Sequence, residues 1–195
     1  MSDTYPRIEP LRAPSAEVQQ ILAKTLHHNG APLNAALVLA HHPRLLKRFM
    51  LFAGVFLSHS LLPDRDRELI TLRSAYRCRV HYYFAHHIES ALAAGLTPGE
   101  VLATADESYE WHGNDQLLIA AADEMAVTAQ LSDVTWTPLS AVYSPAQLEE
   151  IVLLPGFYRM MAGFINTVGV ELEPGVADWP SEGGAVGEAD PSRAG

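Results

Sequence analysis

The apolar residues of this chain recur at helical spacing over most of its length. In the first such segment Val18, Ile21, Leu22 and Leu26 follow one another at intervals of three or four positions. Similar patterns, bounded by Pro, Gly and capping residues, predict further helices downstream. The predicted helices cover residues 15–29, 34–40, 44–59, 65–76, 80–94, 114–129 and 145–168, with a short helix near Leu139.

Two sites with glycine or proline indicate where a helix ends or bends. Asn29-Gly30 is expected to end the first helix, and Pro155 is expected to kink the last one. No run of alternating apolar and polar residues indicates a strand, and no repeat of 20–50 residues is present. The sequence therefore predicts an all-α fold, a single-domain helical bundle.

The ends of the chain differ in composition from its centre. Residues 1–14 contain three prolines and little periodicity, which predicts an extended arm that lies on the body or on a partner subunit. Residues 174–195 are rich in Gly, Pro, Ala and acidic residues, a composition that favours a disordered tail. Between them, residues 15–173 are predicted to form one helical domain.

Composition narrows the classes of function. The chain has 195 residues, nearly half of them apolar, and a formal net charge of −10. A negative protein repels phosphate backbones, so nucleic acid is not an expected partner. The longest apolar stretches, such as residues 51–57, are too short to span a bilayer, and no secretory signal is visible. We expect a cytoplasmic protein that does not bind membranes.

The strongest candidate for chemistry is a carboxylate and an imidazole on neighbouring helices. His87 falls within the apolar stripe of the helix over residues 80–94, and Tyr83 precedes it by one turn. Glu68 shares a face with Leu72 and Ala75 on the preceding helix. Such a pair can transfer protons near neutral pH. The alternative is a core histidine with satisfied nitrogens and a Glu68 paired with an arginine, either Arg65 or Arg73.

The other histidines and the cysteine give weaker signals. Histidines occur in adjacent pairs, which face different sides of a helix, and no His-x-x-x-His or His-Glu-x-x-His spacing is present, so no metal site is expected. Cys78, the only cysteine, cannot form an internal disulfide. Its neighbours Arg77 and Arg79 would lower its pKa if it were exposed, but a small buried thiol is the favoured interpretation. No Gly-rich phosphate loop or Gly-x-Ser-x-Gly elbow occurs.

Seven segments carry a family resemblance through their order and spacing: residues 34–46, 62–73, 82–88, 94–97, 121–125, 156–166 and 169–173. Together they resemble the carboxymuconolactone decarboxylase family, also called the alkyl hydroperoxidase D-like family. The resemblance covers roughly residues 30–173. It implies an all-α fold of the alkyl hydroperoxidase D-like type, a small-molecule substrate and assembly into homo-oligomers.

The resemblance also singles out Glu68 and His87. Peroxidases of the family have a Glu nineteen residues before the His of a Cys-x-x-Cys-x-x-x-His motif, and Glu68 and His87 keep that separation. Val80 and Tyr83 stand at the two cysteine positions, which argues against a two-thiol peroxidase. Many cysteine-free relatives have Tyr-Glu-Trp-x-x-His here, and in this chain Tyr83 and Phe84 replace the Glu and the Trp.

The leading hypothesis is a lyase or isomerase that uses no cofactor and acts on a small lactone or keto acid. His87 would act as general acid and base, Glu68 would orient it or share its proton, and Tyr83 would donate a hydrogen bond to a developing oxyanion. Two alternatives remain open. One is an antioxidant oxidoreductase in which Cys78 reacts with a hydroperoxide and an external thiol resolves it. The other is a ligand-binding member of the family without catalysis.

Overall fold

The computed structural model describes residues 6–176, in which nearly all regular structure is helical. This confirms the predicted all-α class. The predicted tail lies outside the described residues except for residues 174–176. The helices are α1 (Ala16–Leu22), α2 (Asn34–Leu39), α3 (Pro43–Ser58), α4 (Asp64–Arg77), α5 (His81–Ala93), α6 (Pro98–Ala103), α7 (Gly113–Val127), α8 (Asp133–Val142) and α9 (Pro145–Val168), and two short strands are β1 (His27–His28) and β2 (Ala31–Pro32).

The first helix is shorter than its apolar pattern predicts. It begins after Ser15, whose hydroxyl caps it, but it ends at Leu22. Asn29 and Gly30 do not end it: both have positive φ, 49° and 79°, and they form the turn between the antiparallel strands β1 and β2. Asn-Gly is the dipeptide that best fits such a hairpin turn. The expectation of a helix over residues 15–29 was therefore wrong in its second half.

The described residues fall into two compact units, and the first contains residues 6–59 and 163–174. The described part of the N-terminal arm is bound within this unit. The Arg7 N–H donates to the carbonyl of Val168 over 2.7 Å, and the Leu11 N–H donates to the carbonyl of Leu37 over 3.2 Å. Glu173 accepts a hydrogen bond of 2.6 Å from the Asn34 N–H at the start of α2. A carboxylate is stabilised there by the unpaired N–H groups of the first helical turn.

The second unit contains residues 60–162 and 175–176, and α4 is its central helix. Eight consecutive residues, from Glu68 to Ala75, are buried, so α4 is covered on every side over two turns. It packs against α5 and α7. Two of these buried residues, Glu68 and Arg73, are charged, and a buried charge is costly unless it is paired. Both are paired, Glu68 with Arg67 and His87, and Arg73 with Asp123.

The last helix, α9, is long and apolar enough to cross a membrane by length and composition alone. Core helices of water-soluble folds pass the same test, so this is weak evidence for a membrane. The buried side chains of α9 recur at intervals of three or four, as in a helix that packs on a core through one face. Pro155 lies inside the helix, which continues through it to Val168. Tyr158 lies on this buried face.

Candidate functional site

Glu68 and His87 meet across α4 and α5. The Nδ1 atom of His87 lies 2.7 Å from Oε2 of Glu68, a short hydrogen bond between two groups that can both be charged. The Glu68 side chain is 3% exposed and that of His87 is 12% exposed. The structure thus places together the two residues that the sequence singled out, with the carboxylate buried and the imidazole reachable from solvent.

The second oxygen of Glu68 is bound by its neighbour in sequence, Arg67. The Nε and NH2 groups of Arg67 both donate to Glu68 Oε1, over 3.1 and 2.9 Å. The NH1 group of the same guanidinium donates to Asp64 over 2.6 Å, so Arg67 is itself held by two carboxylates. This arrangement fixes the orientation of Glu68. Helical spacing could not predict it, because a long arginine reaches around the helix to the residue beside it.

The two arginines considered as alternative partners of Glu68 bind elsewhere. Arg65 donates to both oxygens of Asp115, over 2.7 and 2.8 Å, and also to Glu100. Arg73 forms a bidentate ion pair with Asp123, in which its Nε and NH2 groups donate over 2.7 and 2.8 Å. An arginine does satisfy Glu68, as that interpretation required, but it is Arg67.

A third side chain, Tyr158 of α9, completes the cluster. Its hydroxyl lies 2.9 Å from Nε2 of His87, and its ring meets the imidazole edge to face at a centroid distance of 5.4 Å. Tyr158 is only 1% exposed. Tyr158 was not among the predicted site residues, although one signal was present: a tyrosine on the apolar face of a helix needs a partner for its hydroxyl. Both ring nitrogens of His87 are therefore occupied, by Glu68 and by Tyr158.

The charges of the cluster follow from its surroundings. Burial acts to raise the pKa of Glu68, but the attraction and hydrogen bond of His87, with those of Arg67, hold it below its ordinary value of 4.5. Glu68 is thus a carboxylate at neutral pH and can only accept hydrogen bonds. We therefore assign a proton to Nδ1 of His87. When the imidazole is neutral, Nε2 accepts the hydrogen bond from the Tyr158 hydroxyl.

Tyr158 keeps its own proton. Burial, followed by the nearby charge of Glu68, raises the pKa of its hydroxyl well above the ordinary value of 10.0. A tyrosinate is therefore not populated at neutral pH. A proton can still pass through this hydroxyl if the oxygen accepts one proton from His87 while it donates another.

Tyr83 lies beside Tyr158 and not directly on the imidazole. The rings of the two tyrosines meet edge to face at a centroid distance of 5.4 Å. Burial raises the pKa of the Tyr83 hydroxyl, so it remains protonated. Within residues 6–176 this hydroxyl forms no hydrogen bond. A donor without a partner at this place can bind a polar atom of a ligand.

Cys78 does not show the features of a reactive thiol. It follows α4 directly and is partly buried. Burial raises the pKa of the thiol, and the opposing charges of Arg159 and Arg77 do not reverse this effect. The protonated thiol is a poor nucleophile. In the described part of the chain, no group of three or more His, Cys, Asp or Glu side chains could hold a metal ion.

Comparisons with known proteins agree with this fold. Residues 43–126 match the sequence model of the carboxymuconolactone decarboxylase family. A peroxidase-related protein from Silicibacter sp. TM1040 superposes with a TM-score of 0.74 at 14% identity, covering 90% of this chain and 96% of the other. No curated protein matches the chain.

Two further solved structures have the same fold. An alkylhydroperoxidase D core, a peroxidase-related protein from Ralstonia eutropha JMP134, gives a TM-score of 0.73 at 17% identity over 87% of this chain and 92% of the other. A protein of unknown function from Agrobacterium tumefaciens gives 0.61 at 16% identity over 69% and 94%. The sequence match over residues 43–126 and the shared fold support the resemblance to the carboxymuconolactone decarboxylase, or alkyl hydroperoxidase D-like, family.

Proposed function

We propose that this protein is a lyase or isomerase that needs no cofactor and transfers protons to and from a small lactone or keto acid. The observation that supports this most is the hydrogen-bonded series Glu68, His87, Tyr158. Its two contacts with the imidazole measure 2.7 and 2.9 Å. A buried carboxylate, a titratable ring and a protonated phenol in one line form a path along which a proton can move.

The roles of the residues follow from the geometry. Glu68 occupies Nδ1 of His87, so a proton can leave the ring only from Nε2, on the side of Tyr158. The Tyr158 oxygen accepts that proton while its own proton passes to the substrate. Because burial keeps the pKa of Tyr158 high, the two transfers occur together. Glu68, which remains a carboxylate, holds the Nδ1–H side of the ring in place during the transfer.

A decarboxylation illustrates the sequence of events. The carbon–carbon bond to the carboxylate of a β-keto or vinylogous acid breaks, CO₂ leaves, and the electron pair moves to the carbonyl oxygen to form an enolate. Tyr83, whose hydroxyl is free of partners among residues 6–176, donates a hydrogen bond to that oxygen. The carbon then takes the proton from Tyr158, the Nε2–H of His87 restores the proton of Tyr158, and the cluster takes up one proton from solvent before the next turnover. In an isomerisation, the same side chains first remove a proton from the substrate and then return a proton to another of its atoms.

The test compares wild type with His87→Gln on a panel of lactones and keto acids while CO₂ release and uptake of solvent deuterium are followed. Loss of the proton-transfer group should lower the rate by about 100-fold or more. His86→Gln is the matched control: it is the adjacent histidine, and it packs on Tyr82 at a ring distance of 4.6 Å. Equal rates in wild type and His87→Gln would contradict the proposal. Ligand-induced thermal stabilisation without turnover would favour a binding protein instead.

Assembly into a homo-oligomer is part of the same proposal. Three large apolar side chains of α3 support it, since Leu45, Leu51 and Val55 are 48%, 65% and 43% exposed. Exposed apolar groups that follow one another along a helix commonly mark an interface. Light scattering should give a mass at least twice the 21.3 kDa of one chain. A monomer at micromolar concentration would contradict this part of the proposal and leave the chemistry of His87 untouched.

A further inference from the structure

Thr71 of α4 has a buried hydroxyl on the same side of the helix as Glu68, which it follows by three positions. The residue is 1% exposed, and its Oγ1 atom has no hydrogen-bond partner among residues 6–176. A threonine within a helix often bonds a carbonyl of the preceding turn, and Thr71 does not. A buried hydroxyl without a partner is uncommon, because it has lost its bonds to water.

Two other threonines among the described residues are as deeply buried, and both have partners. The hydroxyl of Thr104 donates to the carbonyl of Val101 over 2.6 Å, and that of Thr135 donates to Glu124 over 2.5 Å. Burial of a threonine in this fold therefore does not by itself leave a hydroxyl unpaired. The difference at Thr71 has to be explained by what lies beside it.

The group on which Thr71 acts is the hydroxyl of Tyr158. Burial raises the pKa of that hydroxyl most, and the charge of Glu68 raises it further, whereas Thr71 lowers it as a hydrogen-bond donor. Of the other groups that face Tyr158, Tyr83 raises its pKa and Arg67 lowers it. The hydroxyls of Thr71 and Tyr158 are thus close enough to interact, although their alignment in this structure falls short of a hydrogen bond.

A donor at this place is weak before proton transfer and strong during it. The Tyr158 oxygen gives its proton to the substrate while it accepts another from Nε2 of His87, and negative charge collects on the oxygen between the two events. A hydrogen bond to a charged oxygen in a buried site is about twice as strong as one to a neutral oxygen. An interaction that strengthens on the way to the transition state accelerates the reaction.

We propose that the Thr71 hydroxyl donates a hydrogen bond to the Tyr158 oxygen during proton transfer and stabilises the negative charge that collects there. Thr71 is a positioning residue, since it acts through Tyr158 and keeps its own proton. The proton that leaves Tyr158 goes to the substrate, and its replacement comes from Nε2 of His87. The inference rests on the proton transfer proposed above and adds one residue to it.

The acidity of the phenol at position 158 tests this hydrogen bond without any substrate. Tyr158 is replaced in the full chain by 2,3,5-trifluorotyrosine, whose fluorines make the phenol more acidic, and the phenolate absorbance is followed against pH. In Thr71→Val, which puts a methyl group in place of the hydroxyl, the acid dissociation constant should fall about two- to tenfold, the range of one hydrogen bond. Thr71→Ser keeps the hydroxyl and should stay close to wild type. An unchanged constant in Thr71→Val would overturn the proposal.

Turnover and stability separate this role from a purely structural one. Thr71→Val should be at least as stable as wild type in urea, because it removes a hydroxyl that has no partner. Its kcat should nevertheless fall about tenfold with KM unchanged, and Thr71→Ser should restore kcat. Thr104→Val is the matched control: it loses the bond to Val101, so it should be less stable and should convert the substrate like wild type.

The outcomes distinguish this inference from the proposed function. Equal kcat values in wild type and Thr71→Val, together with a slow His87→Gln, would overturn the role of Thr71 and leave the proton transfer in place. A His87→Gln variant as fast as wild type would contradict the proposed function and, with it, the role of Thr71 in turnover. The fluorotyrosine titration would still report whether Thr71 donates to the oxygen of residue 158.

Discussion

Helix α4 contributes two buried charges, Glu68 and Arg73, and their surroundings differ in one respect. Arg73 is bound by both oxygens of Asp123 and by the carbonyl of Thr104, which lies 3.0 Å away. The charge of that guanidinium does not change at any physiological pH. Glu68 is bound by Arg67 and by His87, and the second of these partners can gain or lose a proton. The contacts of Arg73 hold α4 to α7 and to the loop after α6. The contacts of Glu68 with Arg67 and His87 can also move a proton.

The comparison explains why a buried charge does not by itself identify a site. Both clusters have short, well-aligned hydrogen bonds, and both would be costly to break. Only the cluster around His87 includes a titratable ring together with two tyrosine hydroxyls, those of Tyr83 and Tyr158. The difference predicts that substitutions at Arg73 or its partner mainly affect stability, while substitutions around His87 mainly affect turnover.

The largest loss of stability should follow from Asp123→Ala. This change leaves the guanidinium of Arg73, 4% exposed, without its carboxylate partner. Removal of one partner from a buried ion pair costs about 3 kcal/mol or more. Urea unfolding followed by circular dichroism measures this loss, and the turnover of the folded fraction should change little. A variant as stable as wild type would show that the cluster does not hold the fold together.

A smaller loss of stability, joined to a loss of activity, should follow from Glu68→Gln. The amide keeps the shape but removes the charge that pairs with His87 and Arg67, at a cost of about 2 kcal/mol. Glu150→Gln is the matched control, since Glu150 is also buried but accepts hydrogen bonds from Ser60 and from the Leu61 N–H. Both variants should lose stability, and only Glu68→Gln should lose turnover.

The stability difference between wild type and Glu68→Gln should depend on pH. The pKa of Glu68 is lower in the folded protein than its ordinary value of 4.5, so its ionised form stabilises the fold. This stabilisation is fully present above pH 4.5 and is lost as the pH falls through the lower folded pKa. Unfolding curves of both proteins between pH 3 and pH 7 test this. A difference that grew on acidification would show that the sign is wrong.

Tyr158→Phe should reduce stability by about 1 kcal/mol and turnover by about 100-fold. The variant keeps the aromatic packing and removes only the hydroxyl that contacts Nε2 of His87. Tyr143→Phe is a matched control, because Tyr143 is another buried tyrosine, and its hydroxyl donates to Asp66 over 2.7 Å. If Tyr158→Phe and Tyr143→Phe converted the substrate equally fast, Tyr158 would have a structural role only.

The smallest effect is expected for Cys78→Ser. Burial raises the pKa of this thiol, so little thiolate is present at neutral pH. The variant should match wild type in turnover, and mass spectrometry should find Cys78 unmodified after exposure to moderate peroxide. A sulfenic acid or a mixed disulfide at Cys78 would instead support a single-cysteine antioxidant.

The sequence predicted much of the fold, because apolar residues at helical spacing are the strongest local signal. Two of the predicted helices begin in the structure at Pro43 and Pro145, each with proline at the first helical position. The error at Asn29-Gly30 has a physical origin. The same dipeptide can end a helix or turn a hairpin, and only the pairing of His27 with Pro32 decides between them.

The candidate site was predicted in part. Glu68 and His87 were accessible to sequence reasoning because each lies on an apolar face of its own helix. Tyr158 is distant in sequence, and nothing local indicates that α9 brings it to His87. Arg67 was missed because adjacent residues normally face different directions. Contacts that depend on long side chains or on tertiary packing leave no periodic signal.

The proposed proton path requires that His87 hold its proton on Nδ1 against the Glu68 carboxylate and present Nε2 to Tyr158. NMR of ¹⁵N-histidine-labelled protein reports the tautomer of each neutral imidazole directly, and His87→Gln identifies the relevant signals. We predict the Nδ1–H tautomer for His87 in wild type and a change of its signals in Tyr158→Phe but not in Tyr143→Phe. A neutral His87 with its proton on Nε2 would contradict this arrangement and the proton path that depends on it.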